Sequence, residues 1–136
     1  MSDFNQAVID EFRANQGQVG GYFAGANMLL LHTTGAKSGQ TRTNPMVYVP
    51  DGDRIVVIAS KGGDDSNPDW YHNLVANPTV TVELGNEKFQ AHATAVTEEL
   101  ERSRLYAKMV EHRSGFAEYE QKTTRKIPAV VLERVG

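Results

Sequence analysis

The chain has 136 residues, 40% of them hydrophobic and 23% charged, a balance that predicts one compact domain over residues 1–136 and excludes a disordered chain. Its net charge of −3 and pI near 5.8 exclude a general nucleic-acid binder, because phosphate neutralisation dominates affinity for such partners. Cysteine is absent, which removes disulfides, iron–sulfur clusters and thiolate metal sites. The start of the chain has no basic region followed by an apolar one, and no stretch reaches bilayer-spanning length, so a cytoplasmic protein is expected.

In chain order, Phe4, Val8 and Phe12 recur at four-residue spacing with Ile9 beside them, which predicts a short amphipathic helix. It carries Arg13 against Asp3, Asp10 and Glu11, so packing on the domain is favoured over peripheral membrane association. "GQVGGYFAG" is too glycine-rich for a regular element and reads as a connector. "NMLLLHTT" is a buried strand and "TRTNPMVYVP" a second, which Pro45 and Pro50 place at an edge or bulge. "RIVVIAS" is a third strand, buried on both faces, and it runs into the glycine-lysine loop "KGGDDSNP". In "NPDWYHNLVANP", Asn67 is the expected cap and Pro68 the first helical residue, with Asn77 and Pro78 as the stop. "TVTVEL" and the segment after "GNE" alternate as a hairpin, with Val80, Val82 and Leu84 facing one way and Phe89, Ala91, Ala93 and Ala95 sharing a face. A helix beginning at Thr97, a short one in "SGFAEYEQKTT" and a last strand, "IPAVVLERV", complete the chain. About six strands with inserted helices and no βαβ alternation predict an antiparallel α+β, barrel-like domain.

Residues 32–42, "HTTGAKSGQTR", suit an anion by composition, but they are not a P-loop. Ala36 precedes Lys37 where that motif needs glycine, Leu31 holds the upstream glycine position, and a strand follows instead of a helix. No G-x-G-x-x-G supports a Rossmann site either. Two readings remain: an ordinary hairpin turn, or an anion nest of backbone amides, hydroxyls, Lys37 and Arg42. The loop "ASKGG" tilts the balance, since the strand before it is expected to neighbour the one ending in "TRTNP" and to bring Lys61 toward Lys37 and Arg42. Cations gathered in an acidic protein call for an anion between them, each charge-assisted bond contributing about 1.5–3 kcal/mol. His32, His72, His92 and His112 lack metal-ligand spacing, so no metal site is expected. In "MVEHRSG" the charged residues read as a solvated helix end.

"TTGAKSGQTRTNPM", "DGDRIVVIASKGG", "NPDWYHNLVANPTV" and "TTRKIPAVVLE", in this order and spacing, resemble the deazaflavin-dependent nitroreductase family, over nearly the whole chain. The resemblance implies a split β-barrel like the FMN-binding barrels, with flanking helices. It also implies reduced coenzyme F-420 as hydride donor to small activated acceptors such as quinones, nitro compounds or enones. It assigns the coenzyme phosphate to Lys37, Arg42 and Lys61, with the backbone of Ser60, Gly62 and Gly63. The ring is assigned to Pro45, Met46, Val47 and Ala59, with Trp70 near the same wall. Trp70 has a second reading as a core anchor. Tyr119 or Ser60 is assigned to deliver or relay the proton, and Tyr119 equally suits packing of the last helix. The chain departs from the family at Ala36, where arginine is common, and at Arg113 and Phe116, which can be tyrosine. An FMN-dependent oxidoreductase and a non-catalytic F-420 carrier are the alternatives, and both monomer and homodimer suit such a barrel.

Overall fold

The computed structural model describes residues 3–135, apart from the side chains of Asp3, Phe4 and Tyr22. Helix α1 (Asp3–Ala14) opens the chain. It lays Val8, Ile9 and Phe12 into the core as the periodicity predicts, while Phe4's side chain lies outside the described residues. The glycine-rich connector forms only a 3-10 turn, Gly21–Phe23. Strands β1 (Met28–Thr34) and β2 (Thr41–Val47) then pair as an antiparallel hairpin.

The second expected strand is in fact two. Strand β3 (Val49–Asp51) follows β2 after Tyr48 alone, and β4 (Arg54–Ile58) pairs with it. Helix α2 (Asp69–Ala76) precedes the hairpin of β5 (Thr79–Leu84) and β6 (Glu87–Val96). After α3 (Glu99–His112) and α4 (Gly115–Gln121), β7 (Ala129–Arg134) returns between β6 and β4.

The seven strands form one sheet in the order β2-β1-β5-β6-β7-β4-β3. Its two edge strands are consecutive in sequence, so the sheet must curl until the edges meet at Tyr48, whose N–H donates to the Asn27 carbonyl at 2.9 Å. That curl makes a split, antiparallel barrel. Pro45 and Pro50 both lie on edge strands, where a missing N–H breaks no interior ladder. The curl also corrects one expectation: β4 pairs with β3 and β7, not with β2. The chain crosses from one edge to the other between Pro45 and Pro50, which a linear reading cannot register.

Strand alternation separates two cores. On one face Met28, Leu30, Val47, Val56, Ile58 and Val131 pack under Ile9 and Phe12 of α1 and Leu105, Tyr106 and Met109 of α3. On the other, Leu29, Leu31, Val57, Val82, Ala93 and Val130 pack together with Leu74 of α2. β1, β4 and β7 feed both, which is why "MLLL", "VVI" and "AVVL" read as unbroken apolar runs. Two caps differ by one residue from expectation. Pro68, not Asn67, is the N-cap of α2, because Arg125 takes the Asn67 side chain. Glu98, not Thr97, caps α3, its carboxylate accepting the Leu100 and Glu101 N–H groups.

Candidate functional site: a glycine-lysine loop beside an aromatic pocket

The loop after β4 is held in an unusual backbone. Ser60 is right-handed (φ −76°, ψ −38°) and Lys61 left-handed (φ 48°). That alternation is the nest conformation, in which successive N–H groups turn toward one side. A non-glycine residue at positive φ is uncommon, and here it lies in the segment the sequence assigns to phosphate. Gly63 (φ +87°) is required by space as well: a Cβ there would stand 2.9 Å from Lys122 Cβ and 3.0 Å from the Tyr119 carbonyl. Loop and α4 therefore touch, which joins Ser60, Lys61, Gly62 and Gly63 to Tyr119 at one place.

Arg125 braces this loop. Its guanidinium donates to the carbonyls of Ala59 (3.2 Å), Ser60 (2.9 Å) and Asp64 (2.9 and 3.0 Å), and to Asn67 Oδ1. Thr123 adds a bond to Asp65 Oδ1 at 2.6 Å. Ala59 is fully buried and Ser60 nearly so, while Lys61 is exposed, its Nζ donating to Ser66 Oγ at 3.1 Å. Sequence reasoning quoted "TTRKIP" but gave Arg125 no role; a cation between a short helix and a buried strand was the available signal.

The β1–β2 hairpin carries Lys37 and Arg42, both exposed. It is pinned to α2 by Asn73, 7% exposed, whose Oδ1 accepts the Ala36 N–H (3.0 Å) while Nδ2 donates to Thr33 Oγ1 (3.1 Å). Asn77 Nδ2 adds a longer bond, 3.4 Å, to the Thr34 carbonyl. Asn73 was also missed. Its signal was a polar residue on the face shared by Trp70, Leu74 and Asn77, at helical spacing. So α2 anchors the Lys37–Arg42 hairpin, while Arg125 holds the Lys61 loop, and no β2–β4 pairing joins the two.

The expected ring wall divides. Pro45 and Val47 share one face of β2 by alternation, and Val47 joins the core beneath α1 and α3. Met46 points the other way and borders the second core together with Trp70, so their side chains do not share a wall with Val47. Trp70 is half-buried against that core, which fits an anchor.

Val47 instead lines a hollow of about 350 Å³ with Phe23, His112, Arg113, Ser114, Gly115, Phe116 and Tyr119. Phe116 and Tyr119 meet edge-to-face at 5.2 Å. The Tyr106 hydroxyl, pushed above its ordinary pKa by burial, donates to the Phe116 carbonyl at 2.6 Å and fixes α4 over the pocket. His112 ends α3, and its Nε2 accepts the Asn27 N–H at 2.9 Å. A larger, more open hollow of about 630 Å³, between the end of α1 and the glycine connector, holds none of the predicted site residues. The smaller one is lined by Phe116 and Tyr119 of α4, the helix that Gly63 of the braced loop abuts, and so is the candidate site. Among the described residues, no group of three or more His, Asp and Glu gathers as a metal site, and no helix is long and apolar enough to cross a membrane.

A nest, a nearby lysine and apolar walls are a donor set that fits a phosphorylated, ring-bearing cofactor. On a curled antiparallel sheet this is the architecture of the split-barrel oxidoreductases. The comparisons narrow it. The family described as F420H(2)-dependent quinone reductase matches residues 5–134. The F420H(2)-dependent quinone reductase Rv1261c of Mycobacterium tuberculosis is 42% identical over 126 residues, covering 90% of this chain and 85% of that protein. A solved F420-H2 dependent reductase, FDR-A, is 38% identical with a TM-score of 0.72, covering 84% of this chain and all of that one. Another structure, described as a domain-swapped dimer, is 37% identical with a TM-score of 0.72, covering 92% and 94% of the two chains. The chain belongs to the F420H(2)-dependent quinone reductase family, and it is an F-420-dependent reductase.

Proposed function

We propose that this single domain transfers a hydride from reduced coenzyme F-420 to a quinone, with the coenzyme phosphate on the loop of Lys61 and the acceptor in the pocket beneath α4. The observation that carries this reading is the Ser60–Lys61 nest, braced by Arg125 and abutting α4, which puts an anion site next to an aromatic hollow. When bound, the coenzyme supplies the hydride chemistry. The protein's part is to hold, orient and dry the reactants.

Lys61, Lys37 and Arg42 are the proposed phosphate cations, with Ser60 and Gly62 lending backbone amides, while the Gly63 N–H closes the turn on the Ser60 carbonyl at 3.0 Å. Val47, which lines the pocket, Pro45 on the same face of β2, and buried Ala59 are the proposed ring contacts; Met46 and Trp70 border the other core. Tyr119, at the pocket, is better placed than the nearly buried Ser60 to hand a proton to the reduced acceptor. Quinone is favoured as acceptor because the relatives are named for it, and because edge-to-face aromatics suit a flat ring. The related domain-swapped dimer supports a homodimer here, which light scattering tests.

The deciding experiment titrates the purified protein with F-420 and separately with FMN, following Trp70 fluorescence and calorimetry, then measures quinone turnover. Selective F-420 binding with turnover upholds the proposal. FMN binding alone replaces the chemistry, binding without turnover on any acceptor leaves a carrier, and no binding removes the phosphate site.

A further inference from the structure

We propose that His112 is a catalytic hydrogen-bond donor, its Nδ1–H holding the acceptor carbonyl oxygen as that oxygen gains negative charge. The assignment rests on the proposed placement of a quinone in the pocket that His112 lines.

The argument starts from a backbone amide. The Asn27 N–H is a donor only, and it points at His112 Nε2 over 2.9 Å. Nε2 therefore presents its lone pair, and in the neutral ring the proton is on Nδ1. Asn27 itself is well fixed, because its carbonyl accepts the Tyr48 N–H at the joint where the sheet edges meet. Tautomer and ring orientation are thus set by the barrel closure, at the same strand junction that presents Val47 to the pocket.

The second nitrogen is the ring atom left to meet a ligand in the hollow that His112 lines. His112 is half-buried, and among the described residues its one hydrogen bond is the Asn27 contact at Nε2. Among the described residues, the only buried side-chain polar atom without a partner is Arg102 Nε, so Nδ1 is unpaired and accessible. The hollow that Phe23, Val47, Phe116 and Tyr119 bound is also lined by His112, whose Nδ1–H is the donor it would offer a ligand there. Arg113 and Ser114, next in the chain, line the same hollow.

In the reaction, the acceptor gains two electrons and one hydrogen as hydride from the coenzyme, which leaves oxidised. The quinone becomes a hydroquinone monoanion, and a proton from solvent or Tyr119 completes it. Charge develops on a carbonyl oxygen, and a preoriented donor in a dry site stabilises that charge more than the neutral ground state. His112 is not the proton source, since a neutral imidazole that gave up Nδ1–H would become an imidazolate.

Two substitutions separate this role from mere support of Asn27. His112→Gln keeps an acceptor for the Asn27 N–H and removes the donor at the δ position, whereas His112→Asn keeps the δ donor and loses that support. With reduced F-420 and 2-methyl-1,4-naphthoquinone, kcat is expected to fall roughly 10- to 100-fold in His112→Gln and less in His112→Asn, with coenzyme affinity unchanged in both. The opposite order, or a glutamine variant equal to wild type, overturns the role while leaving the functional reading intact. A wild type that binds F-420 without reducing any quinone overturns both. Long-range ¹H–¹⁵N spectra of the coenzyme-free wild type supply the activity-independent readout. Protonated Nδ1, unprotonated Nε2 and a shift of the Nδ1 signal on adding the naphthoquinone are expected; protonation at Nε2, or no shift, overturns the assignment.

Discussion

At the residue scale the site depends on a few atoms. Lys61 combines a left-handed backbone with a cationic side chain, so replacing it by alanine removes charge at a position whose backbone geometry Gly62 and Gly63 sustain. Lys61→Ala is expected to weaken F-420 binding by about 10- to 100-fold, the equivalent of one charge-assisted hydrogen bond, without lowering the melting temperature. Arg42→Ala should behave likewise if the hairpin reaches the phosphate, and unchanged affinity in both variants would return residues 32–42 to an ordinary turn. Tyr119→Phe keeps the edge-to-face contact with Phe116 and the fold. It should spare coenzyme affinity and lower kcat by about tenfold or more if the hydroxyl delivers the proton; equal rates make Tyr119 a packing residue. Some of this was readable in advance. "SKGG" announces a loop needing positive φ, but that Gly63 must be glycine because α4 arrives at 2.9 Å is a tertiary fact.

At the scale of elements, Arg125 holds the loop and Asn73 holds the hairpin. Arg125 spans the start of the segment at Ala59 and its end at Asn67, so it sets the curvature of everything between. Arg125→Ala strips donors from the carbonyls of buried Ala59 and Ser60 and of exposed Asp64, and a loss of about 1.5–3 kcal/mol in unfolding free energy is expected, read from urea denaturation. Coenzyme affinity should fall as well, although the residue need touch no ligand; wild-type affinity would show that the loop keeps its shape unaided. The caps make a related point. Sequence favoured Asn67 as an N-cap and Thr97 as a helix start on chemistry that is sound in isolation. The chain used Pro68 and Glu98 instead because a distant arginine claimed the Asn67 amide and because Glu98 reaches the Leu100 and Glu101 amides. Competition for a side chain is decided by partners far away in sequence.

At the scale of the whole molecule, polar struts tie helices to the barrel. Glu83 of β5 accepts from Arg13 of α1 at 2.7 Å and from His32 of β1 at 2.5 Å, and the Thr43 hydroxyl of β2 completes the chain at His32 Nδ1. At the opposite end Asp51, 11% exposed, binds Arg104 (3.0 Å), Lys108 (2.9 Å) and Arg54, fastening the β3–β4 turn to α3. Hydrogen bonds from Arg104, then Lys108 and Arg54, hold the Asp51 carboxyl far below the ordinary carboxylate range. A depressed pKa contributes stability above the unfolded value of about 4, and that contribution is lost as pH falls toward the folded value. Asp51→Asn should therefore cost about 1–2 kcal/mol near neutrality, allowing for solvent screening of the exposed partners. The difference between wild type and variant should shrink below about pH 4, by thermal melts across pH; a difference independent of pH would assign the loss to packing.

The sequence by itself determined the strands except for the break that divides β2 from β3, the helices, the edge placement of both prolines and, through four motifs in order, the family. These are local or pattern properties: apolar period, turn chemistry and residue spacing survive without knowledge of neighbours. Only the tertiary structure decided that two edge strands meet at Tyr48, that Met46 and Val47 face different cores, and that Arg125, Asn73 and His112 belong with the site. Each of those depends on how a curled sheet brings distant segments together, and curvature is a sum over every strand pair that no single segment encodes.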